Sequence, residues 1–328
     1  MIFKQLHKFF FYLLLLSFSI FFTFFSAHAQ NWPSKSVRLV VPFAAGGPAD
    51  ALARFIGMKM TSELGQAVVI DNKAGAGGVL GATDVIQSTD GHSILFASTG
   101  ALVIVPAMSI NPNYRPERDL IAIGQAVNTP SVAVVSAKSR FNKLSEIVSY
   151  AKDNPAKLNY ASAGSGTSTQ LGTELLKRDA SIFITHIPYR GAAPAITDLI
   201  SGTVDLMFAD VPAVISFIHA GQLKALALAS PERSPALPDV MTTSEAGFKT
   251  VISGTWYGFM GPAKMPLEVV TKINSALKKA LQHPETVVFF KSQGVEAAIG
   301  SPQDFSKFIS AEGLKWGALI KSANVKPD

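Results

Sequence analysis

The chain has 328 residues, 48% of them hydrophobic and 16% charged, so it can bury a sizeable core and is too apolar for extensive disorder. It has no cysteine, which excludes disulfides, thiolate metal sites, iron–sulfur clusters, thiol nucleophiles and a lipidated N-terminal Cys. The net charge of +6 would suit a nucleic-acid or membrane surface only if it were concentrated somewhere along the chain.

Residues 1–29 read as a signal peptide. Lys4 and Lys8 precede an apolar run from Phe9 to Phe25, broken only by Ser17, Ser19 and Thr23, and Ala27-His28-Ala29 sets small residues at both positions a signal peptidase reads. The alternative is a retained anchor, but this run lies at the bottom of the spanning range of roughly 17–25 residues, and the small-x-small exit favours cleavage near Ala29. Removing the leader takes Lys4 and Lys8 out of 29 basic residues against 23 acidic ones, which leaves +4. The remaining basic residues are dispersed, Lys278-Lys279 being the densest pair, so no nucleic-acid partner is expected.

The mature chain alternates β-branched runs with amphipathic stretches, the pattern of an α/β protein with mainly parallel sheets. Residues 37–43 form a strand, 44–48 a loop, and Asp50 opens a helix with Leu52, Phe55, Ile56, Met60 and Leu64 at helical spacing, ended by Gly65. A strand at 67–70, a glycine-rich turn, a helix at 80–87, the Asp90-Gly91 turn and a strand at 93–97 follow. A second unit begins after Thr129-Pro130, with strands at 131–136, 158–161, 182–187, 204–208 and 223–229 and helices at 144–153, 169–177, 193–200 and 213–220. A Pro-rich stretch at 230–238 leads past Trp256 to helices at 267–282, 285–293 and 303–321. Two α/β lobes result, with the last helices free to return to the first.

In open α/β sheets ligands sit beyond the carboxyl ends of strands. Three loops there are rich in small residues: Phe43-Ala44-Ala45-Gly46-Gly47-Pro48-Ala49-Asp50, Ser98-Thr99-Gly100, and Ser162-Ala163-Gly164-Ser165-Gly166-Thr167-Ser168. Small residues admit a ligand to the backbone, and free N–H groups at a helix start favour an anion. Singly, each is an ordinary capped turn; three in equivalent positions point to a shared anion cleft. Gly75-Ala76-Gly77-Gly78 fails as a dinucleotide fingerprint because Leu80 stands at the third glycine, and no phosphate-binding lysine loop exists. Ser165 lacks the glycine of a nucleophile elbow, and His92, His186, His219 and His283 have no metal spacing. No cofactor is therefore expected. Arg190 contacts either a ligand acid or an interlobe acidic partner. Asp210 either faces the cleft, attracting a cation or repelling a second carboxylate, or caps the helix after it.

The segments Trp32-Pro33-Ser34-Lys35, Arg38–Asp50, Gly65–Gly78, Leu158–Ser162 with Gly166-Thr167-Ser168, His186–Gly191 and Arg233–Val240 with Glu245-Ala246-Gly247 together resemble the Bug-type solute receptors of tripartite tricarboxylate transporters, over essentially the whole mature chain. The resemblance implies a non-enzymatic periplasmic receptor with a two-lobed type II periplasmic binding protein fold. Each lobe would be a mostly parallel sheet flanked by helices, the two joined by crossover strands: 30–126 with 252–328 as lobe 1, and 127–251 as lobe 2. It implies a small organic carboxylate as ligand (a di- or tricarboxylate, an amino acid or an aromatic acid), inner-membrane permease subunits as partners, and a monomer. Carried over residue by residue, the ligand role falls on Phe43, Ala44, Ala45, Gly47, Ala49 and Asp50, on Ser98 and Thr99, and on Ser162, Ser165, Gly166, Thr167 and Ser168, with Arg190 and Asp210 beside them. The sequence departs from the family where Ala44 and Ala45 replace prolines, Ala49 a Thr, Gln170 a His and Asp210 an Asn, which bears on the identity of the ligand more than on its class.

Overall fold

Strand β1 (Val37–Val41) is buried nearly throughout, as its apolar run requires, and it feeds α1 (Pro48–Leu64). The computed structural model describes residues 32–108 and 114–322; the leader read at 1–29 lies outside them. Every element named here lies within Ser36–Asp328. Helix α1 starts at Pro48, ahead of the expected Asp50, because a proline's missing N–H is one the first turn leaves unpaired anyway. It ends at Gly65, whose φ of 70° lets its N–H close on the Thr61 carbonyl. Leu52, Ile56 and Met60 on its inner face are fully buried, each stabilising the fold by about 1.5–3 kcal/mol.

The other strands are β2 (Val68–Asn72), β3 (Ser93–Ser98), β4 (Leu120–Ser136), β5 (Asn159–Ser162), β6 (Thr185–Pro188), β7 (Leu206–Asp210), β8 (Leu223–Leu228), β9 (Gly254–Pro262) and β10 (Glu296–Ala297). The other helices of eight residues or more are α2 (Val79–Ile86), α3 (Leu144–Asp153), α4 (Ser168–Ala180), α5 (Ala192–Ser201), α6 (Val211–His219), α7 (Leu267–Gln282), α8 (Pro284–Gln293) and α9 (Pro302–Ser322). The strand order is β2-β1-β3-β9-β4-β7-β5-β6, with β8 and β10 also pairing β4. Its two wings are parallel: β2, β1 and β3 on one side, and β7, β5 and β6 on the other. Its middle is antiparallel, because β4 and β9 run against each other and against their neighbours.

The long strand β4 is the chief departure from the sequence reading, which placed a strand only at 131–136. Gly124 and Pro130 look like breakers, yet β4 absorbs them. Register shifts near Gly124 accommodate the first. Pro130 is the last residue paired with β9, and from Ser131 onward β4 pairs with β7, so the missing N–H falls where the strand changes partners. Beyond that point alternate residues enter separate cores. Val132 and Val134 pack with Ile196, Leu199 and Val214 of α5 and α6, whereas Ala133 and Val135 join the larger cluster around Phe208, Leu171 and Trp256.

Candidate functional site

Six parallel strands end at one cavity of about 690 Å³, a volume that suits a small organic ligand. Residues following each of them line it: Phe43 and Ala49 after β1, Gly77 and Val79 after β2, Gly100 after β3, Ser165 and Ser168 after β5, Arg190 and Ala193 after β6, and Ala213 after β7. Tyr257 and Thr255 of β9 complete the wall. The lining is largely apolar, and its charged side chains, among the described residues, are Arg190 and Asp210.

The wall is made of helix beginnings. The first turns of α1, α2, α4, α5 and α6 all contribute lining residues, and none of these helices has a side-chain cap hydrogen bond. Their first-turn N–H groups therefore keep unspent donor capacity, and each helix carries roughly half a positive charge at that end. Pro48, Pro194 and Pro212 remove three of the candidate donors. The loops after β2, β3 and β5 also touch one another. A side-chain carbon at Gly100 would lie 3.1 Å from the Gly166 carbonyl and 3.5 Å from that of Gly77, so only a residue without one lets the loops meet this closely.

Of the residues expected at the site, Phe43, Ala44, Ala45, Gly47, Ala49, Ser98, Ser165, Thr167, Ser168, Arg190 and Asp210 line the cavity. Asp50, Thr99, Ser162 and Gly166 do not, and three of these turn inward to hold the loops. The Asp50 carboxylate accepts from the Gly46 N–H at 2.9 Å, Arg54 Nε at 2.9 Å and Asn72 Nδ2 at 3.0 Å, and Asn72 also reaches the Phe43 carbonyl. Burial works against the ionised form of Asp50, but these donors together hold its carboxyl below the usual range. Thr99 Oγ1 accepts the Trp256 N–H at 3.0 Å. Ser162 Oγ lies 2.6 Å from His186 Nε2, and Gln170 joins the same group, taking the Gly166 N–H on Oε1 and facing His186 Nδ1.

Hydrogen-bond direction separates two of the lining hydroxyls of the third loop, those of Thr167 and Ser168, from a ligand. The Ala163 N–H donates to Thr169 Oγ1, Thr169 and Thr167 share a hydroxyl bond, and Thr167 donates to the Gly164 carbonyl at 2.6 Å. The Thr167 proton is thus committed to the loop. Ser168 Oγ meets Thr255 Oγ1, which donates to Asp210 Oδ1 at 2.9 Å, while Ser131 approaches the same oxygen at 3.5 Å. Asp210 occupies the N-cap position of α6 without making the cap bond, so of its two expected roles the cap is not the one seen. Burial, opposed only by these hydroxyls, pushes its carboxyl up to about 7. Tyr257, stacked on Phe96 at 5.1 Å, has its hydroxyl pKa raised by burial and then by Asp210 beside it. Arg190 makes no ion pair among the described residues, and it lines the cavity.

The sequence reading missed the start of α5, the turn at Ala74–Val79 and Thr255 of β9, and it gave Trp256-Tyr257 only as core or as an aromatic face near a hinge, not as cavity wall. Gly191, with φ of 126° directly before a helix, carries the same small-residue signature as the loops that were read. Thr255 and Tyr257 gave no such signal, because they reach the cavity only through strand pairing.

A model of the tripartite tricarboxylate transporter family receptor matches residues 52–325. A UPF0065 protein in the tcbD-tcbE intergenic region of Pseudomonas sp. (strain P51) is 39% identical over 303 residues, covering 90% of this chain and 89% of the relative. Among solved structures, R. palustris Rpa4515 with adipate is similar at a TM-score of 0.87 and 31% identity, over 90% of this chain and all of that one (100%). The periplasmic binding protein BugD is similar at a TM-score of 0.84 and 34% identity, again over 90% of this chain and 100% of its own.

Proposed function

Because the chain belongs to the tripartite tricarboxylate transporter receptor family, we propose that it captures a small organic carboxylate in the cavity and delivers it to inner-membrane permease subunits. The observation that carries this reading is the ring of helix N-termini, none with a side-chain cap, around a cavity with few charges of its own. Such a wall stabilises an anion through fixed N–H dipoles. The cavity residues proposed to contact the ligand are those of the loops after β1, β3 and β5 together with Arg190 and Asp210. Asp50, Thr99, Ser162 and Gly166 act by holding these loops in shape.

In this reading the two parallel wings are the cores of two lobes, 30–126 with 252–328 and 127–251, and β4 and β9 cross between them. Closure brings the loops at Gly100 and Gly166 together around the ligand. Periplasmic residence follows from the relative BugD, described as a periplasmic binding protein, and from the leader anatomy of residues 1–29, proposed to be cleaved near Ala29. Adipate in the R. palustris relative supports the carboxylate class, and the receptor is proposed to work as a monomer.

The Ser162–His186 contact is the one feature that invites a hydrolase reading. Ser162 is fully buried and off the cavity wall, so its hydroxyl has no route to a substrate bound there. The half-buried ring of His186 stacks on the buried Tyr160 at 4.8 Å, which holds it against the core. Titration calorimetry against di- and tricarboxylates, amino acids and aromatic acids tests the proposal. One-to-one saturable heat with the ligand recovered unchanged is expected; sustained product formation, or no saturable heat from any member, overturns it.

A further inference from the structure

Among the described residues the cavity holds one negative side chain, and none of them forms an ion pair with it. Asp210 is 6% exposed and lines the wall. Around it stand Thr255 and Tyr257 from β9, Ser131 from β4 and Ser168 from the start of α4; the described residues bring no Lys, Arg or His within ion-pair distance. Both hydroxyl bonds fall on Oδ1. Among the described residues none donates to Oδ2. A carboxylate buried this deeply is ordinarily paired or multiply hydrogen-bonded, since burying it alone is costly. The other charged lining residue, Arg190, is of opposite sign and also lacks an ion-pair partner among the described residues.

Resting on the carboxylate-receptor reading above, we infer that Asp210 is the specificity-determining residue of the site and that the ligand is an amino-carboxylic acid, its ammonium group meeting Asp210 while its carboxylate takes the helix N-termini. A zwitterion supplies the partner that each end of the cavity lacks. The hydroxyl chain fits this assignment: with Asp210 ionised, Ser168 donates to Thr255 and Thr255 to Oδ1, which leaves Oδ2 for the ammonium. A dicarboxylate in the same pose would bring a second anion against Asp210, a like-charge contact in a water-poor site, and that contact disfavours it strongly. In the empty protein near neutral pH, burial keeps Asp210 partly protonated. Pairing with an ammonium group favours the ionised form, so binding of the amino acid is accompanied by proton release.

The experiment is calorimetry at pH 8 with two length-matched series, linear dicarboxylates of four to six carbons and the corresponding ω-amino and α-amino carboxylic acids, on the intact protein and on Asp210→Asn. The best amino acid is expected to bind the intact protein at least ten-fold more tightly than any dicarboxylate, about 1.4 kcal/mol or more. Asp210→Asn is expected to shrink that ratio by ten-fold or more, chiefly by weakening the amino acid. Dicarboxylates binding as tightly as amino acids, or a ratio that Asp210→Asn leaves unmoved, overturns the assignment while leaving the receptor reading intact. Saturable heat from neither series overturns the assignment, and overturns the receptor reading as well only if tricarboxylates and aromatic acids are equally silent.

Discussion

Asp210 shows how one residue can be read correctly as to place and left open as to role. Its position at the end of a strand, directly before a helix, put it at the cleft, but nothing in the local sequence distinguishes a helix cap from a ligand contact. Only the strand pairing that brings Ser131 and Thr255 to the same oxygen does that. The same burial has a consequence for stability. The folded carboxyl is raised from the ordinary aspartate value to about 7, so between about pH 4 and pH 7 the folded state holds a proton that the unfolded state has lost. Stability from this residue is fully present at pH 4 and is lost as the pH rises through 7. At about 1.4 kcal/mol per pKa unit, the effect amounts to a few kcal/mol. Asp210→Asn should therefore flatten the thermal-stability profile of the ligand-free protein between pH 4 and pH 8, and should melt higher than the intact protein at pH 8. A profile still falling as steeply in the variant would place the pH sensitivity elsewhere.

At the level of elements, the proposed anion site rests more on helix beginnings than on side chains, and one substitution separates the two. Ala193 sits exposed in the first turn of α5 and lines the cavity. An aspartate there suits the helix, adding about 0.3–1 kcal/mol at its N-terminus, yet it places a negative charge where the ligand carboxylate belongs. Ala193→Asp is expected to leave urea unfolding unchanged or slightly more favourable while lowering carboxylate affinity by about ten-fold or more, since 1.4 kcal/mol is a decade. Unaltered affinity would remove α5 from the anion site. The helices themselves were legible from sequence: α3 and α7 fall at their expected bounds because their apolar spacing is regular and their ends are marked. Strand β9 was not legible, because glycines interrupt its apolar run and burial on both faces leaves no two-residue alternation to read. The long form of β4 hid behind Gly124 and Pro130, which act as breakers only where no partner strand supports them. Thr255 went unread with β9, and Tyr257 was left open between core and an aromatic face near a hinge. The loops, by contrast, announced themselves, because a backbone that must approach a ligand needs small residues in sequence as well as in space.

Across the whole molecule, the sheet explains why a nearly uncharged cavity can select an anion. Two parallel wings direct the carboxyl ends of six strands, and hence the positive ends of the helices that follow, toward one space, while β4 and β9 pass antiparallel between them. The basic excess that first raised a nucleic-acid surface has no concentrated patch behind it in the sequence. The attraction for an anion comes instead from aligned peptide dipoles, with Arg190 beside them. In the proposed reading Asp210 then sets a limit on which anions are accepted. The most direct test is a crystal structure of the protein with its preferred carboxylate bound. The carboxylate oxygens are expected about 3 Å from first-turn N–H groups of α1 and α4. A ligand seated outside the cavity, or a carboxylate held by side-chain cations with no backbone N–H in reach, would contradict the account.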